Sequence, residues 1–437
     1  MNGMASVSIK FISLYKVLIY LVFITGFIGP AFFLIDLGAF HLFPFRILLL
    51  ILWFIFLLYF FLNQGRLNIS HIKVKHYLRF LAIWGFYAVL TLAWVNSPVD
   101  AVRHIVFLLA GISMIIFVVW YFTKLEDFRR LYYIWLLVLV PMIGLGLWNN
   151  LTGQHLASSA LVDAPERFIH MPTAVFHNPN DYATYLALSI PFILVLIRHA
   201  NNKMVSLWGL GLLLPTLYLL TVTYSRANYL AVIIGVAFWF LFLLKLKKKL
   251  KVAILSIVLV FLLFAVFPNQ MEVITSNIGV QIGSLIVDSE RQGGSIDVRI
   301  NLLKNAFVFT LEHFGFGVGA GNIEYHMANY RVYDTGGIIN VHNWWVELLA
   351  NYGLFIFIGY LLFYGGIFMN LYQAYGKLTE RTEKMVCEAL LMGLVIFFLA
   401  SISSSAIMAF GPMWILFAFA LGFLNCYRVK QARGAGR

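Results

Sequence analysis

Charge is scarce in this chain. Of its 437 residues only 11% are Asp, Glu, Lys or Arg, where a soluble globular protein carries about 25%. That scarcity excludes a soluble enzyme of ordinary make-up and a disordered chain, which needs many charges and few apolar groups. Acidic residues are scarcer than basic ones, 18 against 31, for a formal net charge of +13. A basic balance can indicate nucleic-acid binding, but that requires a basic stripe on a soluble face. Here the cations sit in short clusters between apolar runs, so nucleic acid is not an expected partner. Cysteine is almost missing: Cys387 and Cys426 are the only two. This excludes a disulfide scaffold and a zinc ribbon, and both are expected to be free thiols. What is abundant is apolar: 62% hydrophobic residues, with 41 Phe and 22 Tyr. So much apolar surface needs lipid to cover it.

A membrane span needs about 20 mostly apolar residues. Twelve runs qualify, at 12–34, 42–62, 77–95, 102–122, 131–149, 182–197, 205–222, 228–244, 252–267, 344–371, 386–403 and 409–427. The first is too long for a signal peptide and has no small-residue cleavage site. The expectation is a single all-α polytopic domain over 1–437. With the N-terminus inside, 23 of the 31 Lys and Arg fall on inner loops and 13 of the 18 acids on outer ones. This bias sets the orientation and puts both termini in the cytoplasm. Two outer connections are long, 150–181 and 268–343. Function concentrates on such loops, so chemistry is expected on the outer face.

Seven of the eight outer cations are Arg, the residue suited to planar, bidentate recognition of phosphate or carboxylate. Arg226 lies in Thr223-Tyr224-Ser225-Arg226-Ala227-Asn228, a link too short to leave the membrane surface. It reads either as a snorkelling anchor or as a fixed cation for an anionic lipid headgroup, with Ser225 and Asn228 adding hydrogen bonds. Arg299 falls where apolar residues recur at 296, 300, 303, 307, 311 and 314. That is helical spacing, and it predicts an amphipathic helix lying on the outer membrane face. His342 precedes the tenth run, and a histidine at headgroup depth can serve as a general base near neutral pH. The following Trp344 and Trp345 read as an aromatic belt, and Glu347 one turn further in needs a partner.

Asn178-Pro179-Asn180-Asp181 opens the sixth run. It reads as helix punctuation, with Asn178 as N-cap and Pro179 at the first helical position, or as a polar rim for sugar hydroxyls. Gly315-Phe316-Gly317-Val318-Gly319-Ala320-Gly321 follows a helix and faces outward, whereas a nucleotide loop needs a preceding strand, a following helix and a cytoplasmic nucleotide pool. A tight turn with close backbone approach is expected instead. Asp288-Ser289-Glu290 is the one outer acid-x-acid pair; Arg291 follows it, and it reads as a solvated loop. No metal site and no cofactor are expected.

Taken in order, these segments resemble the O-antigen ligase and polymerase family of bacterial envelope membrane proteins. The resemblance rests on Asn178–Asp181 opening a span, Ser225-Arg226-Ala227 at a tight outer turn, Arg299 leading to the Gly317-x-Gly319 turn, and His342-Asn343 with Gly353 beyond. It covers about 170–360 and the general topology. It implies a GT-C-like architecture in the bacterial cytoplasmic membrane. It also implies transfer of a glycan from an undecaprenyl-diphosphate-linked donor to an acceptor hydroxyl on the outer side, without metal and with inversion. The family's functional positions fall on Arg226 and Arg299 as diphosphate-stabilising cations and on His342 as general base, with Asn343, Ser225, Asn178, Asn180 and Asp181 as substrate-binding candidates. Repeat-unit polymerase is slightly favoured, since no feature for a lipid A core acceptor stands out. A ligase placing finished glycan on the lipid A core is the alternative. A flippase for lipid-linked sugars would need ionisable residues deep within spans, and almost none lie there.

Overall fold

The computed structural model describes residues 2–38, 41–245, 249, 276, 279, 295–405 and 407–434. The run at 252–267, the acidic stretch Asp288–Glu290 and Arg291 lie outside the described residues. The helices are α1 (Asn2–Ile28), α2 (Pro44–Leu62), α3 (Lys75–Leu90), α4 (Pro98–Tyr121), α5 (Leu125–Thr152), α6 (Glu166–Ile169), α7 (Pro179–Arg198), α8 (Lys203–Val222) and α9 (Arg226–Phe238). After the undescribed stretch come α10 (Ser295–Glu312), α11 (Ile323–Asn329), α12 (Trp344–Lys377), α13 (Arg381–Ala400) and α14 (Gly411–Gly434). A two-residue hairpin, β1 (Ile35–Asp36) with β2 (His41–Leu42), joins α1 to α2.

Every expected run within the described residues is a helix, and nine of these helices are long and apolar enough to cross a membrane. Two others fall short for visible reasons. The apolar part of α1 is confined to Ser13–Ile28, and α13 opens with Arg381, Glu383, Lys384 and Glu388. Local sequence sets the helix starts. Proline, whose fixed φ suits the first helical turn, begins α2, α4 and α7, and Asn202 caps α8 through Val205 N at 2.9 Å.

The bundle has a protein-filled centre and a rim of exposed apolar side chains. In α7 and α14, 83% of the apolar window is buried, against 17% in α2. α4 packs along α14, α13 runs between α9 and α7, and α8 packs on α7. The lysine-rich end is fastened by charge. Lys16 Nζ donates to Asp127 at 2.6 Å, and Lys430 Nζ to Glu383 at 2.7 Å. Glu388, fully buried on α13, takes hydrogen bonds from Arg198, His199 and Trp239. A buried carboxylate is stable only when so surrounded. Cys387 and Cys426 are both free.

At the opposite end α12 breaks. Gly353 has φ 74 within a helix of 34 residues. The break frees backbone carbonyls, and the glycine-rich turn takes them. Val318 N donates to Ala350 O at 2.8 Å and Gly319 N to Asn351 O at 2.9 Å, while Leu354 N donates back to Gly315 O at 2.8 Å. A Cβ on Gly317 would lie 2.6 Å from Gly353 N. The turn is therefore a backbone clasp on a helix kink, which is why its glycines need positive φ and no side chains.

Candidate functional site

Arg226 is placed by the turn before α9. Tyr224 takes a left-handed φ of 55, so the chain reverses within three residues and Arg226 becomes the first residue of the helix. Its guanidinium thus starts from the positive end of a helix dipole, where anions are favoured. Ser225 faces inward: it is buried, and its Oγ accepts from Asn228 Nδ2 at 2.9 Å.

Arg299 sits near the start of α10 and is exposed. This helix has two apolar faces. Leu302, Ala306 and Phe309 are buried against α11 and α12, whereas Ile300, Phe307, Leu311 and the following Phe314 remain exposed. The expected stripe is thus the exposed one, and the protein holds the helix by a second face. The Arg299 guanidinium lies below its usual pKa, first because its surroundings dehydrate it and then because Arg226 faces it. It stays charged at any ordinary pH.

His342 has φ 50, and its main-chain N–H donates to Asn340 Oδ1 at 2.9 Å. Its Nδ1 is buried without a hydrogen-bond partner among the described residues. Burial lowers the imidazole pKa below the ordinary histidine value and the Arg299 charge lowers it further, with the Ser403 backbone opposing. Arg226 acts on Arg299 and Arg299 acts on His342, so the three fall in one electrostatic neighbourhood although they are far apart in sequence. The imidazole is neutral near pH 7, the form that can accept a proton.

The other expected binding residues mostly hold the framework. Asn178 caps α7 through Asp181 N at 2.9 Å, and its Nδ2 donates to Ser405 Oγ at 2.7 Å. Asp181 is buried, accepting from Asn178 Nδ2 at 2.8 Å and also from Ser404 Oγ. Asn180 offers its carbonyl to Thr184 Oγ1 at 3.0 Å and to Asn228 Nδ2 at 3.5 Å. Asn343 caps α12, accepting from Trp345 N at 3.1 Å and Val346 N at 3.3 Å. Trp344 is not a belt residue. It is buried, with Nε1 donating to the Tyr360 hydroxyl at 3.0 Å.

The sequence reading missed the hub of this arrangement, the connection Ser401-Ile402-Ser403-Ser404-Ser405 between α13 and α14. Ser403 Oγ accepts from Asn228, Ser404 donates to Asp181, Ser405 Oγ accepts from Asn178 and Ser405 O accepts from Asn340. Four serines in five residues between two apolar runs were the available signal. Two cavities flank the hub. An apolar one of 550 Å³ is lined by Phe32, Phe45, Phe107 and Trp414 with Arg46. A cleft of 340 Å³ is lined by Asp100, His104, Glu324, Glu347 and Asn351 together with apolar Phe107, Ile323 and Met408. Among the described residues no group of three or more His, Cys, Asp and Glu is arranged to hold a metal ion.

The fold and this cationic end define a class: a multi-pass helical membrane protein with two arginines and a neutral imidazole in one field. Residues 211–361, which carry all three, match the family described as O-antigen ligase. The teichuronic acid biosynthesis protein TuaE of Bacillus subtilis (strain 168) is 35% identical over 416 residues, covering 95% of this chain and 85% of that protein. The chain is a member of the O-antigen ligase family.

Proposed function

We propose that the chain is a metal-independent, inverting glycosyltransferase of surface polysaccharide synthesis. Its donor is an undecaprenyl-diphosphate-linked oligosaccharide, and it works on the outer face of the bacterial cytoplasmic membrane. The observation that carries this reading is the shared field of Arg226, Arg299 and His342. In the reaction the bond from the anomeric carbon to the phosphate oxygen breaks and one to the acceptor oxygen forms. The acceptor proton passes to His342. The electron pair leaves with the diphosphate, whose new charge the two guanidinium groups stabilise in place. Attack opposite the leaving group inverts the centre. The diphosphate bond supplies the driving force, so no cofactor enters.

The topology that fits is twelve spans with both termini in the cytoplasm, counting α1, α13 and the run at 252–267, in a GT-C-like layout. The connections 150–181 and 268–343 then face outward as parts of one membrane domain. Membrane lipids surround it, and the apolar cavity offers cover for a lipid chain.

Repeat-unit polymerisation is the reading we favour; a relative named for teichuronic acid biosynthesis supports the broader reading of surface polysaccharide synthesis. The second reading is a ligase whose acceptor is the lipid A core. Deleting the gene in its host and sizing surface glycan and carrier-linked glycan separately distinguishes them. Single repeat units at the surface identify the polymerase; long chains left on the carrier identify the ligase. Full-length glycan at the surface argues against both, and repeat units trapped on the inner leaflet point to a flippase.

A further inference from the structure

Two of the buried hydrogen-bonding atoms that lack a partner among the described residues belong to side chains lining one cleft at the site end. Asn351 is 1% exposed; its Oδ1 accepts from Ile323 N at 3.1 Å, but its Nδ2 meets nothing. His104 shares a hydrogen bond of 2.8 Å between Nδ1 and the Tyr352 hydroxyl, yet its Nε2 is unpartnered. Glu347 Oε1 is 3.7 Å from that nitrogen, too far for a hydrogen bond. Native proteins rarely leave such groups unmade. Both side chains line the 340 Å³ cleft, which lies within the size range of small-molecule pockets, about 300–1,000 Å³.

The polar groups of the lining, set among apolar Phe107, Ile323 and Met408, say what the cleft accepts. Glu324, Glu347 and Asp100 offer carboxylate acceptors, and Asn351 and His104 offer donors. Hydroxyl groups, each a donor and an acceptor, complement such a mixture. Anions do not. Three carboxylates face Arg103 and His104, and Arg103 already lies 3.6 Å from Asp100. The Glu324 carboxyl shows the same field. It is raised above its usual value first by its dehydrating surroundings, with Glu347 and Asp100 adding while Asn340 and His104 oppose.

The cleft also lies beside the candidate base. Asn340 Nδ2 donates to Glu324 Oε1 at 2.6 Å and to Ser405 O at 2.5 Å, and its Oδ1 accepts the His342 main-chain N–H. Neither Arg226 nor Arg299 is part of the lining. A diphosphate belongs with the arginines. A sugar bearing the attacking hydroxyl belongs here.

We propose that this cleft is the acceptor subsite, and that it takes an uncharged, hydroxyl-rich terminal sugar and excludes a uronate. This deepens the transfer reading and rests on it.

The test uses the full chain in lipid nanodiscs with two probes, methyl glucopyranoside and methyl glucopyranosiduronate, observed by saturation-transfer NMR. Wild type is expected to give a saturable signal with the glucoside and one weaker by about tenfold with the uronate, within the range set by leaving a buried hydrogen-bonding group unsatisfied. Asn351→Leu should abolish the glucoside signal. Glu347→Gln keeps the side-chain shape, so it guards against loss by misfolding, and it should narrow the difference between the probes. No saturable glucoside signal in wild type, preference for the uronate, or wild-type signals in both variants overturns the proposal. In a transfer assay with whole membranes, Glu347→Gln should raise the acceptor KM and leave the donor KM unchanged. Transfer with an unaltered acceptor KM in both variants sinks the cleft assignment alone. Saturable glucoside binding by a chain that moves no glycan sinks the transfer reading and leaves a sugar site.

Discussion

In the proposed mechanism the chemistry turns on Arg299 and His342, and their coupling gives a pH signature. Burial and the Arg299 charge hold the imidazole below the ordinary histidine pKa. Transfer should therefore fall only when the pH drops below that ordinary value, as His342 takes up a proton and loses its basicity. Arg299→Gln removes a positive neighbour, favours the protonated ring and moves this acid limb to higher pH. The same variant should cost about 10²–10³ in rate, as loss of a preorganised charge stabiliser does. His342→Ala should cost about 10²–10⁴, with a flattened acid limb in the rate profile. Arg226→Ala that still inserts but makes no polymer excludes a purely scaffolding role; normal polymer from that variant contradicts the mechanism. Part of the candidate site was legible. Arg226, Arg299 and His342 stand out locally, as a turn, an amphipathic helix and a helix entrance. The partners of Asn178 and Asp181 were not legible, because Ser404 and Ser405 lie more than 220 positions along the chain and no local pattern points to them.

At the scale of elements, the kink in α12 and the glycine turn are one device. Gly353→Ala would set a Cβ against the Gly315 carbonyl oxygen and force an L residue to φ 74. The φ alone costs about 1–3 kcal/mol, so the variant should melt measurably earlier in detergent, in a scan followed by tryptophan fluorescence. Apolar runs mark helices well because a span in lipid must satisfy its own backbone, and so the runs at 42–62, 102–122 and 205–222 read directly. The two faces of α10 were less legible. Its exposed stripe follows the helical period, but Leu302, Ala306 and Phe309 follow it too, and only the packing on α11 and α12 decides which face the protein covers. Trp344 was misread for the same reason. An aromatic at a helix start looks interfacial until Tyr360 and Trp84 are found against it.

For the whole molecule, the positive-inside bias gives a direct check. Cys387 is buried and Cys426 half-buried, so introduced cysteines can be labelled over a low background. A membrane-impermeant thiol reagent added to intact cells should label Lys304→Cys and spare Lys203→Cys, both at exposed positions. The reverse pattern would invert the topology and move the site to the cytoplasm. A last consequence concerns bilayer thickness. Unbroken, the 34 residues of α12 would make a rod of about 51 Å, far longer than the roughly 30 Å hydrocarbon layer. The break at Gly353 leaves 24 residues, Leu354–Lys377, about 36 Å of helix, to match the lipid. The half carrying Glu347 is strapped to protein backbone instead. The depth of the proposed reacting groups is then set by the polypeptide and not by the surrounding acyl chains, and turnover should vary little between nanodiscs of shorter- and longer-chain lipids.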